Sequence, residues 1–85
     1  MITIDEKRAA HIFRNAEGHF PEDTELNRQT LIDVVNRASN FLGADRFGNA
    51  WFAEVRADGT QVWAQVRGSK IVNGGLNMSP IYPEP

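Results

Sequence analysis

Up to about Leu42 the apolar residues recur at helical spacing, and from Ala44 onward they alternate at the spacing of a strand. This change of period predicts an α+β fold, with two N-terminal helices packed on one face of a three- to four-stranded antiparallel β-meander. Thr3-Ile4-Asp5-Glu6 has the spacing of a capping box, so a first helix is expected over residues about 4–16. Ala9, Ile12, Phe13 and Ala16 then form one apolar stripe, and Gly18 suits a stop. Phe20-Pro21-Glu22-Asp23-Thr24 reads as a loop whose acids and hydroxyl suit the amino end of a second helix, over residues about 25–42. Leu31, Val34, Val35, Ala38, Phe41 and Leu42 supply its apolar face, and Gly43 ends it.

Beyond this point Gly48-Asn49, Asp58-Gly59 and Gly68-Ser69 are each favoured hairpin centres. They divide the chain into strands over residues about 51–56, 61–67 and 70–74, with a short strand near Asp45 to Phe47 before them. Placing Asp58-Gly59 at the two central turn positions pairs Val55 with Val62, Ala53 with Ala64 and Trp51 with Val66, and Ile71 falls beside Val66. These residues define the expected core face. The opposite, open face then carries Phe52, Glu54, Arg56, Gln61, Trp63, Gln65, Arg67, Lys70 and Val72. Residues about 75–85, with three prolines among the last six, are expected to be irregular.

Composition limits what such a fold can be. With 85 residues, 41% of them hydrophobic, the chain supports one modest core, so residues 1–85 are expected to form a single domain and a monomer. Cysteine is absent, which removes disulfides and thiolate metal sites as sources of stability. No apolar run approaches the roughly 20 residues of a membrane span, and Met1-Ile2-Thr3-Ile4-Asp5 lacks the apolar core of a secretion signal. A soluble chain without a targeting signal of its own is expected. Nine Lys plus Arg against 11 Asp plus Glu give a net charge of -2, so any nucleic-acid contact must rely on a local basic stripe.

Candidate chemistry centres on donors and titratable groups. Lys7, His11 and Arg14 fall at i, i+4 and i+7 of the first helix, one face with three donors; a merely solvated helix face would look the same. His19 follows Gly18, where an imidazole commonly caps the last helical carbonyls. It also supplies a partner to His11, and two imidazoles can take and return a proton near neutrality. Arg56 and Arg67 on the open face suit a developing phosphorane charge, although surface arginines beside turns are ordinary. Trp63 and Phe52 offer flat apolar groups beside the amide of Gln65, fit to stack on a base or to meet a protein. No metal-ligand motif, phosphate-binding glycine loop or nucleophile elbow occurs, so neither a metal nor a cofactor is expected.

The strings themselves carry a further hint: His11-Ile12-Phe13-Arg14, Gly18-His19, Gly48-Asn49-Ala50-Trp51-Phe52-Ala53, the hairpin Asp58 to Arg67, and Asn73-Gly74-Gly75-Leu76-Asn77. In that order the chain resembles the C-terminal toxin domains of bacterial polymorphic toxins, as carried by contact-dependent inhibition and Rhs-type proteins. Many of these are similar to the ribonuclease group of barnase, EndoU, the colicin ribonucleases and RelE, with helices on one side of an antiparallel sheet and the site on the other. The resemblance implies metal-independent RNA cleavage, with tRNA among the substrates, by 2′-hydroxyl attack in the cytoplasm of a target cell. A cognate immunity protein would be the second partner. It places catalysis on His11, His19, Gln65 and Arg67, while the helix face and the open sheet face offer Lys7, Arg14, Phe52, Arg56 and Trp63 for substrate binding. The alternative is a non-enzymatic protein-interaction module using the open face through Phe52, Trp63 and Val72.

Overall fold

Thr3 and Ile4 do not open a helix; they form a two-residue strand, β1 (Thr3–Ile4), which buries Ile4 to 4% exposure. An isoleucine is worth more in the core than at the rim of a helix, so the helical start moves on by two residues. Asp5 takes the capping role, accepting from the Lys7 amide at 3.1 Å. A single 3-10 turn, Glu6–Arg8, and one turn of α-helix, α1 (Ala9–Ile12), replace the long first helix expected over 4–16. The chain leaves helical geometry at Phe13, where extended backbone lets both Ile12 and Phe13 enter the core. Ala16 remains exposed.

The second helix starts where expected. α2 (Glu25–Val35) is capped by Thr24, whose hydroxyl accepts from the Asn27 amide at 3.1 Å. Thr24→Ala is expected to cost about 1 kcal/mol, which in a domain of this size lowers Tm by roughly 4–8 °C in a thermal melt. The helix ends at Val35, well short of residue 42. Asn40, itself buried, folds back and donates from Nδ2 to the Val34 carbonyl at 3.0 Å, closing the helix after a further 3-10 turn, Ala38–Asn40. Phe41 and Leu42 belong instead to a strand, β2 (Phe41–Ala44), and the residues expected as a short strand, Asp45 to Phe47, form the following turn.

Three longer strands follow, β3 (Ala50–Val55), β4 (Gln61–Arg67) and β5 (Lys70–Asn77). The structure, a computed structural model described for residues 1–82, joins all five into one sheet in the order β1-β5-β4-β3-β2. Every neighbouring pair is antiparallel except β1 and β5, so the meander is extended to a mixed sheet. β5 runs through Gly74, Gly75 and Leu76, so the irregular tail begins at Met78 rather than at 75; residues 83–85 of that expected tail lie outside the described residues.

The β3–β4 register differs from the expected one by a single residue, and the turn explains it. Arg56 and Thr60 flank a three-residue loop, with Gly59 N–H donating to the Arg56 carbonyl and Gly59 at φ +86°. A glycine in the left-handed region closes a type I turn as a bulge, so Asp58-Gly59 is the end of the loop and not its centre. Pairing becomes Val55 with Gln61, Ala53 with Trp63 and Trp51 with Gln65. One residue of slip moves a whole strand's side chains to the other face. Trp51, Ala53 and Val55 therefore join the open face, whereas Phe52 and Glu54 turn toward the helices. The β4–β5 turn at Gly68-Ser69 has the expected two residues and sets Val66 opposite Ile71.

Leu31, Val34 and Val35 of α2 pack with Val62, Ala64, Val66 and Ile71 of the sheet, and with Ile4, Ile12 and Phe13. Phe52 packs against this core and lies 5.5 Å from the Phe41 ring. Arg28 ties the start of α2 to the N-terminal turn through Glu6 and Asp23, which lowers both carboxyls, and it lies over the Phe13 ring. Among the described residues no helix is long and apolar enough to cross a membrane.

Candidate functional site

The open face gathers its chemistry where the segment after α1 folds against β5. Gly75 is buried there and has no side chain, so the Gly18 carbonyl sits close above its backbone, accepting from the Leu76 amide at 3.1 Å and from Trp63 Nε1 at 2.8 Å. These two bonds fix the position of His19, the next residue. Its ring meets Trp63 edge to face at 5.7 Å, and the His11 ring stands 6.1 Å away on the other side.

Arg14 lies between the two imidazoles. One guanidinium nitrogen is 3.3 Å from His11 Nδ1 and the other 3.3 Å from His19 Nε2. Guanidinium has only hydrogens to offer, so both ring nitrogens must accept. His19 Nδ1 then carries the proton and donates to the Ile12 carbonyl at 2.8 Å, the capping contact expected from its place after the helix. Both imidazoles are thus neutral in this arrangement, with their lone pairs held by one cation. Partial withdrawal from water, then the charge of Arg14 and, more weakly, that of Arg8, hold His11 below the ordinary histidine value.

From His19 the aromatic surface continues across the sheet. Trp51 and Trp63 stack with centroids 6.1 Å apart, and Leu42, Phe52, Ala53, Asn77 and Ile81 complete a depression of about 250 Å³. The chain after β5 crosses this face: the Ile81 amide and Asn77 Nδ2 both donate to Oε1 of the fully buried Gln61, at 2.9 Å each. A longer groove, lined by Glu17, Gly18, His19, Met78 and Ser79 among others, opens on the other side of Ile81.

Trp51 is fixed from its far edge. Asp45 accepts from Trp51 Nε1 at 3.0 Å, from the amides of Phe47 and Asn49, and from Asn49 Nδ2. The Asn49 amide is the strongest of these influences, and together they bring the carboxyl down to about 2. A carboxylate with a depressed value stabilises the fold above its ordinary 3.8 and loses that contribution as pH falls toward 2. Tryptophan emission is therefore expected to change across that window as Trp51 is released, and Asp45→Asn should remove the step in a fluorescence pH titration.

The expected site residues separate into two groups. His11, His19, Arg14 and Trp63 come together, and Gln65 shares their face, opposite Trp51 and Asn73. Arg67 lies four residues beyond Trp63, roughly 13 Å along the strand, with Nε donating to Asn49 Oδ1 at 3.0 Å. Lys7 is exposed on the 3-10 turn, and among the described residues no hydrogen bond ties its ammonium group to the cluster. The helix that would have aligned Lys7, His11 and Arg14 ends before Arg14. Phe52 turns toward the core, and Arg56 sits at the hairpin tip beside Thr30, Val62 and Leu76, on the helix side. Trp51 was hidden from the sequence by the turn length. Among the described residues no group of three or more His, Cys, Asp or Glu side chains is placed to hold a metal ion. Comparison with protein-family models, with curated proteins and with solved structures finds no match for the chain.

Proposed function

We propose that the chain is a metal-independent ribonuclease that cleaves RNA by attack of the substrate's own 2′-hydroxyl, acting as a toxin domain. The observation that carries this reading is the Arg14 guanidinium held between two neutral imidazoles beside an indole. A phosphodiester bound to Arg14 would take over its hydrogens and release the lone pairs of His11 Nδ1 and His19 Nε2. His11, whose free lone pair is its Nδ1, removes the proton from the 2′-hydroxyl; His19 first takes a proton from solvent on the Nε2 lone pair that Arg14 releases and then gives it to the departing 5′ oxygen. Arg14 meanwhile offsets the charge that develops on phosphorus, the role the sequence had suggested for Arg67. Arg8 and Arg14 give the local positive field that a chain of net charge -2 needs to meet RNA.

With this reading come tRNA as one substrate, the target-cell cytoplasm as the place of action and an immunity protein as the natural antagonist. The alternative, a protein-interaction module built on Phe52, Trp63 and Val72, loses Val72, which is 6% exposed, and keeps only part of Phe52, which is half-buried against the core. Incubating the purified chain with tRNA and total RNA in the presence of a chelator tests the proposal. Fragments ending in 2′,3′-cyclic phosphate are expected, with arrest of bacterial growth on expression. Intact RNA together with normal growth would rule it out.

A further inference from the structure

We propose that the depression between Trp51, Trp63, Ala53, Leu42 and Ile81 seats one unpaired nucleobase whose phosphate lies on Arg14, which makes single-stranded RNA the substrate. This rests on the phosphate-holding role given to Arg14 above. Three observations support it. The lining is apolar except for Asn77 and includes two indole rings, the surface on which bases of any sequence stack. At about 250 Å³ the space falls below that of drug-sized ligand pockets, so it takes a single ring system and not a base pair.

The third observation is the position of the cation. Arg14 bonds the imidazole of His19, and that imidazole meets the edge of Trp63, so charge and depression are separated by one ring of each. A ligand fitting both must be flat and apolar at one end and anionic at the other, joined by a short spacer, as a nucleotide is. Gln65 lies outside the lining itself, paired with Trp51 across the sheet, and its amide makes no side-chain hydrogen bond among the described residues. It is free to pair with a base edge, and in a duplex that edge is already taken.

Both tryptophans of the chain line the depression, so the fluorescence of the unaltered protein reports its occupancy directly. Titration with adenosine 3′-monophosphate is expected to give saturable quenching, with ribose 5-phosphate at least about tenfold weaker because it lacks the stacking group. Equal affinity for the two, or no saturable quenching by the nucleotide, would overturn the proposal. Ala53→Leu fills the depression while retaining both tryptophans. It is expected to weaken the nucleotide about tenfold and to leave competition by inorganic phosphate unchanged; nucleotide affinity equal to that of the parent counts against the site. The two readings fail separately. Nucleotide binding without RNA cleavage removes the ribonuclease and keeps the base site, whereas cleavage of single-stranded and duplex RNA at equal rates removes the base site and keeps the ribonuclease.

Discussion

Gly75→Ala is expected to destabilise the fold by about 3 kcal/mol and to lower Tm by roughly 12–24 °C. A methyl group on Gly75 would lie 2.0 Å from the Gly18 carbonyl oxygen and 2.7 Å from His19 Cα, both of them backbone atoms without a rotamer to escape into. Relief requires lifting the Gly18–His19 segment off the sheet. That breaks the bonds from Leu76 and from Trp63 Nε1, each worth about 1 kcal/mol, in addition to the cost of overpacking. Gly48→Ala is the contrasting case: its methyl would meet open space, leaving only the strain of φ +85°, about 1 kcal/mol. Equal melting temperatures for Gly75→Ala and the parent would show that the segment does not rest on the strand as described.

His11→Ala is expected to reduce RNA cleavage by about 100- to 1,000-fold while leaving the melting temperature near that of the parent, because the ring is exposed and makes no core contact. Arg14→Ala should lose activity on a similar scale through loss of charge stabilisation. Initial rates on a labelled oligonucleotide, measured alongside thermal melts, separate chemistry from folding. Full activity in His11→Ala would remove the acid/base assignment. pH supplies a second signature. Because the folded chain holds His11 below its ordinary value of 6.5, the unfolded chain binds the proton more readily. Stability from this group is complete above 6.5 and is lost as pH falls below it, and His11→Ala should flatten that slope. For the same reason the acid limb of the rate profile is expected below 6.5.

Much of the sheet was legible because β4 alternates cleanly: Val62, Ala64 and Val66 are inward and Trp63 and Gln65 outward, as expected. β3 was not, since Trp51-Phe52-Ala53-Glu54-Val55 offers an aromatic to either face. Its face was decided by one extra loop residue at Ala57, which the pair Asp58-Gly59 does not reveal. Helix ends failed for a related reason. Ala38, Phe41 and Leu42 continue the helical period by coincidence, while the group that stops the helix is the buried amide of Asn40. Thr3 and Ile4 are too few to show a period at all, and their partners are Lys70 and Ile71. The pairing of His11 with His19 was legible as chemistry. Its geometry was not, because the expected helix would have carried Arg14 past the site instead of folding it back between the rings. The last strand was expected to stop at Gly74, yet it continues through Gly75 to Asn77.

Neighbouring residues of a strand face opposite ways, so Gly74 and Gly75 thin the sheet from both sides at one place. Leu31 of α2 presses toward Gly74 from one side, and the Gly18 carbonyl rests on Gly75 from the other. The tight interior and the segment carrying His19 are therefore separated there by a single peptide layer. An insertion or a bulkier residue in that layer would act as a wedge, and its thrust would reach the imidazole without passing through any side chain.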